Sequence, residues 1–323
     1  MNNKYHNIKN FVLESGVVLP ELKIAYQTFG KRNDDKSNTV WAFHALSANA
    51  DVLEWWPGLF GKNDYFNPTA HFIVCANVIG SPYGSSTPTD LNFPLFTVRD
   101  VVKAHLFLAD FLNISKINVA IGGSFGGNQA LEFAYDFKGK IDNLILLVST
   151  AQESAWGVAI HEAQRMALKA DETFGKKDGG KKGVKVARAI AMLTYRTQKS
   201  YKITQTDSEA KTDDFKAASY IRYQGDKFEK RFNALSYYFL SKCLDTHNIG
   251  RNRGGVEKAL SNINQKCLLI GIDSDMLIEP HQQKYMAQHL PNAIYKEIHS
   301  DFGHDGFLIE TKAITKLISA FLC

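Results

Sequence analysis

Cysteine is scarce in this chain of 323 residues, and Cys75, Cys243, Cys267 and Cys323 are too widely spaced to form a C-x-x-C pair. Zinc-ribbon ligation and a disulfide framework are therefore excluded as organising principles. Cys75 and Cys267 lie inside apolar runs, where cysteine behaves as a small hydrophobe. No apolar run approaches the ~20 residues needed to cross a bilayer, so no membrane partner is expected. The opening "MNNKYHNIKNFVLESG" lacks an apolar core like that of a secretion signal, and the expected location is the cytoplasm. The net charge is only +5, and the single lysine cluster, "GKKDGGKKGVK" at 175–185, contains no interleaved aromatics. Nucleic-acid binding is excluded on that ground. There is no internal repeat and no low-complexity tract. What is present is an ordinary globular composition, 45% apolar and 22% charged, in a chain long enough for a large core.

The hydrophobic pattern alternates between two periods. After a hairpin-like start in "FVLESGVVLPELKIAYQTFG", strand-like runs occur at 38–46, 71–78, 117–123, 143–150, 266–272 and 293–298. Helical patterns lie between or after them at 97–112, 127–137, 280–290 and 306–322. Buried strands alternating with amphipathic helices predict an α/β fold with a mostly parallel sheet flanked by helices. From 151 to 262 the alternation stops, and the helical pieces "AIHEAQRMALKA", "VARAIAMLTYR" and "RFNALSYYFLSKCLD" follow one another without a clear strand. This stretch is expected to be a helical cap inserted into a core made of 1–150 and 263–323. It would lie over the strand ends where open α/β sheets bind ligands.

The stretch "INVAIGGSFGGNQALEFAYDF" places Ser124 between two pairs of glycines, at the junction of a strand and a helix. In that setting a serine sits in a sharp turn with its hydroxyl exposed, and the flanking glycines avoid collisions with helix and strand. A seryl nucleophile needs a base and an orienting carboxylate, which follow it in the chain order serine, acid, histidine. His161 and His247 fall in the expected cap, His281 and His289 on an exposed-looking helix, and His299 close to a strand end. His304, in "SDFGHDGF", lies in a loop after the last strand and is the expected base. The loop "GIDSDMLIEP" offers both Asp273 and Asp275. Asp275 is favoured because it lies further into the loop that must reach His304. An oxyanion hole needs two backbone N–H donors, expected from Phe125 and, in "FHALSANAD", from Leu46.

At these residues the chain resembles the homoserine O-acyltransferase family of the α/β-hydrolase superfamily. The resemblance covers nearly the whole sequence. It rests on "FHALSANADV", "WWPGLFG", "FIVCANVIGSPYGSSTP", "GGSFGGNQALEFA", "VARAIAMLTYRT", "YIRYQGDKF", "RFNALSYYFL", "DTHNIGRNRGG", "GIDSDMLIEP" and "GHDGFLIE". It implies an α/β-hydrolase fold with a helical cap, no bound cofactor or metal, and acyl-CoA as co-substrate. The implied reaction moves an acyl group to the hydroxyl of L-homoserine, on the route to methionine, by double displacement. Acetyl-CoA is the expected donor, with succinyl-CoA left open, and serine is left open beside homoserine as acceptor. The resemblance also implies a homodimer. It puts the nucleophile, acid and base on Ser124, Asp275 and His304, and adds Arg188 and Asp305 as contacts for the acceptor. A guanidinium suits an α-carboxylate and a carboxylate suits an α-ammonium.

Two stretches depart from the family pattern: the basic "FGKKDGGKKGVK" and "GSSTPTDLN". Neither touches the expected triad. The lysines could meet coenzyme A phosphates or form a solvated loop. A serine esterase with water as acceptor would use the same triad, and a non-catalytic binding protein could share the fold.

Overall fold

The structure is a computed structural model that describes residues 2–137 and 139–323. Its centre is an eight-stranded sheet in the order β1-β2-β4-β3-β5-β6-β7-β8. The strands are β1 (Lys4–Val12), β2 (Val18–Phe29), β3 (Thr39–Phe43), β4 (Phe72–Ala76), β5 (Lys116–Gly123), β6 (Lys140–Leu147), β7 (Lys266–Ile272) and β8 (Ala293–Ile298). β1 and β2 form the expected antiparallel hairpin, and β2 joins β4 antiparallel. All pairings from β4 through β8 are parallel. The helices are α1 (Val52–Trp55), α2 (Val98–Phe111), α3 (Phe125–Asp136), α4 (Ala155–Lys169), α5 (Lys181–Tyr195), α6 (Gln198–Gln205), α7 (Lys216–Glu229), α8 (Ala234–Asp245), α9 (Val256–Ser261), α10 (Pro280–His289), α11 (Gly306–Ile309) and α12 (Thr311–Leu322).

Side chains that alternate across a strand feed two cores, one on each face of the sheet. In β3, Trp41 and Phe43 join the core that packs on α2 and α3, while Val40 and Ala42 join the core under α1 and α12. Between β6 and β7 the chain runs through α4 to α9 with no strand of the main sheet among the described residues. The expected helices at 97–112 and 280–290 agree with α2 and α10 to within a residue at each end. Thr97 and Asp100 cap the start of α2 reciprocally.

Several expected boundaries need correction. The run at 38–46 leaves the sheet after Phe43, because residues 44–51 turn into a loop at the strand's carboxyl end. The strand expected at 143–150 is shifted to Lys140–Leu147. The helix expected over 306–322 is two helices broken at Glu310. Trp56 Nε1 donates to the Phe307 carbonyl (3.2 Å), and the Glu310 carboxylate accepts from Ser300 Oγ (2.9 Å). Both bonds pull the chain away from a continuous helical ladder.

The connections diverge between β3 and β5, and the loops after β7 and β8 reach across to the end of β5 beside that point. This is the crevice in which open α/β sheets hold their ligands. It is held tightly closed at the turn after β5. A Cβ on Gly126 would lie 2.1 Å from the Phe43 carbonyl oxygen, and one on Gly122 would lie 2.2 Å from the Gly126 carbonyl oxygen. Gly126→Ala must therefore push α3 off the end of β3. A loss of about 1–3 kcal/mol in stability, as for other overpacked sites, is expected, and the urea midpoint measures it. An unchanged midpoint would contradict this packing.

Candidate active site

Ser124 joins β5 to α3 with φ 56° and ψ −128°, a conformation that L-residues rarely adopt. Its amide donates to the Leu147 carbonyl at 2.9 Å, which anchors the strained turn to β6. Such strain persists only where the surroundings impose it, and it is concentrated at reactive sites. Here it directs Oγ out of the strand end, at 2.8 Å from His304 Nε2.

His304 lies in a single 3₁₀ turn, Gly303–Asp305, after β8. Its Nδ1 is 2.7 Å from Asp275 Oδ2, and both side chains are buried. The other Asp275 oxygen accepts from the amides of Leu277 (2.9 Å) and Ile278 (3.0 Å), so the carboxylate is oriented from both sides. Nδ1 must carry the proton to donate to Asp275, which leaves Nε2 as acceptor for the serine hydroxyl. Burial opposes charging of the ring, but the charge and hydrogen bond of Asp275, with Asp305 and Glu153 nearby, hold its pKa above the ordinary 6.5. The alternatives Asp273 and His299 pair with each other instead, at 2.6 Å on an exposed edge. Of the two aspartates, only Asp275 is within hydrogen-bond reach of His304 in the structure.

The amides of Leu46 and Phe125 donate to no other group among the described residues. The two segments that carry them are bridged by Gln129, whose Nε2 donates to the carbonyls of His44 (3.0 Å) and Phe125 (3.2 Å). His44 adds a second brace. Its Nε2 accepts from the Val78 amide and its Nδ1 donates to the Ala45 carbonyl. Burial lowers its pKa to about 4, so the brace stays neutral. Sequence reasoning did not single out either residue, although both lie within quoted motifs.

Ser124, His304, Leu46, Arg188 and Asp305 line one cavity of about 460 Å³. Arg188 projects from α5 over the rings of Phe228 (5.0 Å) and Tyr195 (5.6 Å) and has no carboxylate partner among the described residues. Asp305 is less free than its motif implied, because its Oδ2 accepts from Arg196 Nε at 2.7 Å. Arg196 is a further missed residue, and its pairing links the end of α5 to the histidine turn. Trp55, Tyr83, Lys227 and Arg231 complete the polar and aromatic wall. Arg231 Nη1 is held by the Ser47 carbonyl and Tyr83 Oη, each at 2.7 Å.

Serine, buried aspartate and histidine after β5, β7 and β8 define a protein of the α/β-hydrolase class, and the model of the alpha/beta hydrolase fold matches residues 38–311. The sequence is 44% identical to a homoserine O-acetyltransferase of Cyclobacterium marinum, covering 96% of this chain and 92% of that protein. The crystal structure of a homoserine O-acetyltransferase from Staphylococcus aureus superposes with TM-score 0.85 at 32% identity, covering 99% and 95% of the two chains. The chain therefore belongs to the homoserine O-acetyltransferase family and is an enzyme of the acyltransferase class. The esterase E22 superposes over the full length of both chains with TM-score 0.90 at 19% identity, a likeness of fold alone.

The His304 environment generates a pH prediction. Neutral imidazole is needed to accept the serine proton, so kcat/KM is expected to rise with pH through a midpoint above 6.5. In Asp275→Asn the largest influence raising the ring's pKa is lost, leaving burial opposed only by Asp305 and Glu153, so the midpoint should fall, with a rate loss of about three to four decades from the lost tautomer control. A midpoint unchanged in Asp275→Asn would show that this carboxylate does not govern the base.

Proposed function

We propose that this chain transfers an acetyl group from acetyl-CoA to the side-chain hydroxyl of L-homoserine through an acetyl ester on Ser124. The observation that carries the reading is the unpaired Arg188 guanidinium, in the same cavity as Ser124, His304 and Asp305. Hydrolysis does not need a cation and a carboxylate beside the nucleophile. A zwitterionic acceptor makes use of both, with its α-carboxylate on Arg188 and its α-ammonium on the Asp305 oxygen that Arg196 leaves free.

In the first half-reaction Ser124 Oγ gives its proton to His304 Nε2 and attacks the thioester carbon. The carbonyl oxygen becomes an alkoxide facing the Leu46 and Phe125 amides. The carbon–sulfur bond then breaks, and the departing thiolate takes the proton from His304. In the second half-reaction the homoserine hydroxyl gives its proton to His304 Nε2 and attacks the acetyl carbon. The ester bond to Ser124 breaks, and Ser124 regains the proton. Asp275 remains ionised throughout and keeps the imidazole oriented.

Residues 151–262 act in this reading as a lid whose Arg188, Tyr195 and Lys227 wall the cavity and limit the access of water to the acetyl-enzyme. The exposed Trp156, Met166, Val186 and Leu193 on α4 and α5 support a homodimer as the working assembly. The enzyme would act in the cytoplasm, on the route to methionine.

Arg188→Ala tests the acceptor site. Loss of a charge-assisted contact to the α-carboxylate should lower kcat/KM for homoserine about ten- to a hundredfold. Lysine should restore it only in part, since a point charge cannot reproduce the fork. Formation of the acetyl-enzyme, measured as the burst of thiol from acetyl-CoA alone, should stay near the wild-type rate. A wild-type KM for homoserine in Arg188→Ala would move the carboxylate site elsewhere.

A further inference from the structure

The two stretches that depart from the family pattern lie far apart in sequence and meet in space. Gly175 packs against the Leu91 side chain, so the basic loop and the loop of "GSSTPTDLN" touch. Together they wall a surface cleft of about 410 Å³ lined by Pro88, Thr89, Lys176, Lys177 and Asn233. A second cleft of about 290 Å³, lined by Pro82, Lys181, Lys230 and Arg231, shares Asp178, Gly179, Asn233 and Ala234 with the first. Arg231 also lines the cavity that holds Ser124. Arg231 thus borders both the cavity that holds Ser124 and the basic groove beside it.

The groove has a surplus of positive charge. Its acidic side chains are Asp178 and Glu229, and Glu229 is paired with Lys181 at 3.4 Å. Lys176, Lys177 and Lys230 have no ion-pair partner among the described residues. Three unpaired ammonium groups against one carboxylate suit a ligand with several negative charges close together.

We propose that this groove binds the nucleotide end of the acyl-CoA donor, with its pyrophosphate and ribose 3′-phosphate held by Lys176, Lys177 and Lys230. The proposal rests on the acyl-CoA reading of the active site and deepens it. The extended pantetheine arm runs past Arg231 and carries the thioester to Ser124. Lysine meets phosphate as a mobile point charge, which matches a groove whose cations are long, exposed side chains. The two departures from the family pattern then have one function, anchoring the part of the donor that does not react.

The test compares acetyl-CoA with S-acetyl-pantetheine, which has the same thioester without the nucleotide. In the full-length enzyme, the triple variant Lys176→Glu, Lys177→Glu, Lys230→Glu should raise KM for acetyl-CoA about tenfold or more. Kinetics with S-acetyl-pantetheine should be unchanged. The same substitutions to glutamine should give a smaller shift in the same direction, and they serve if the glutamate variant fails to fold. Added salt should narrow the wild-type preference for acetyl-CoA. Adenosine 3′,5′-bisphosphate should compete with acetyl-CoA in the wild type but not in the variant. Inorganic phosphate competing equally well would assign the groove to a free anion and overturn the proposal. A variant that keeps the wild-type preference for acetyl-CoA, or that loses activity equally with both donors, overturns it too. A wild type that transfers from neither donor overturns the underlying reaction, and the groove's assignment falls with it.

Discussion

The contact between Gly126 and the Phe43 carbonyl brings the end of β3 against the first turn of α3, and the active site depends on that approach. With no side chain at 126, the segments that carry Leu46 and Phe125 come close enough for Gln129 to bridge them. The same closeness holds Ser124 at φ 56° with its hydroxyl facing His304. The histidine turn is fixed from the opposite side, where Trp56 holds the Phe307 carbonyl and Arg196 holds Asp305. Ser124, His304 and Asp275 therefore come from three loops, but each loop is tied to something rigid.

Much of this was legible in the sequence because it depends on period and punctuation. Buried parallel strands read as apolar runs, and β7 and β8 fall on the expected residues. The glycine pairs around Ser124 signalled the turn, since a side chain at those positions would collide with the neighbouring helix, strand and loops. What could not be read was set by contacts between distant segments. The break at Glu310 follows from bonds to Trp56 and Ser300 rather than from any local breaker. Helix α7 buries only Gly225 and Phe228 and is otherwise exposed or half-buried, so its apolar face is too sparse to read as a helical pattern. The choice of Asp275 over Asp273 was a judgement of reach. In the structure each carboxylate has its own histidine. Arg196 gave no signal, because its partner Asp305 lies 109 residues away in sequence.

Fold and triad define a class of chemistry without naming the acceptor. An esterase superposes on this chain as well as an acyltransferase does, a likeness of fold that leaves the acceptor open. In the proposed reaction the difference lies in what the cavity admits after the thiol has left, with Arg188 and Asp305 proposed to hold a zwitterion and the rings of Trp55, Tyr83 and Tyr195 to limit water. The route taken by the donor is a separate problem, for which the basic groove beyond Arg231 is the proposed answer.

The central claim is that Ser124 carries an acetyl group that homoserine removes and water does not. Mass spectrometry tests it directly after the enzyme is mixed with acetyl-CoA alone and then chased with either buffer or homoserine. The account predicts one acetyl group on the peptide containing Ser124, persistent in buffer and discharged promptly by homoserine. An adduct on another residue, or discharge equally fast in buffer, would contradict it.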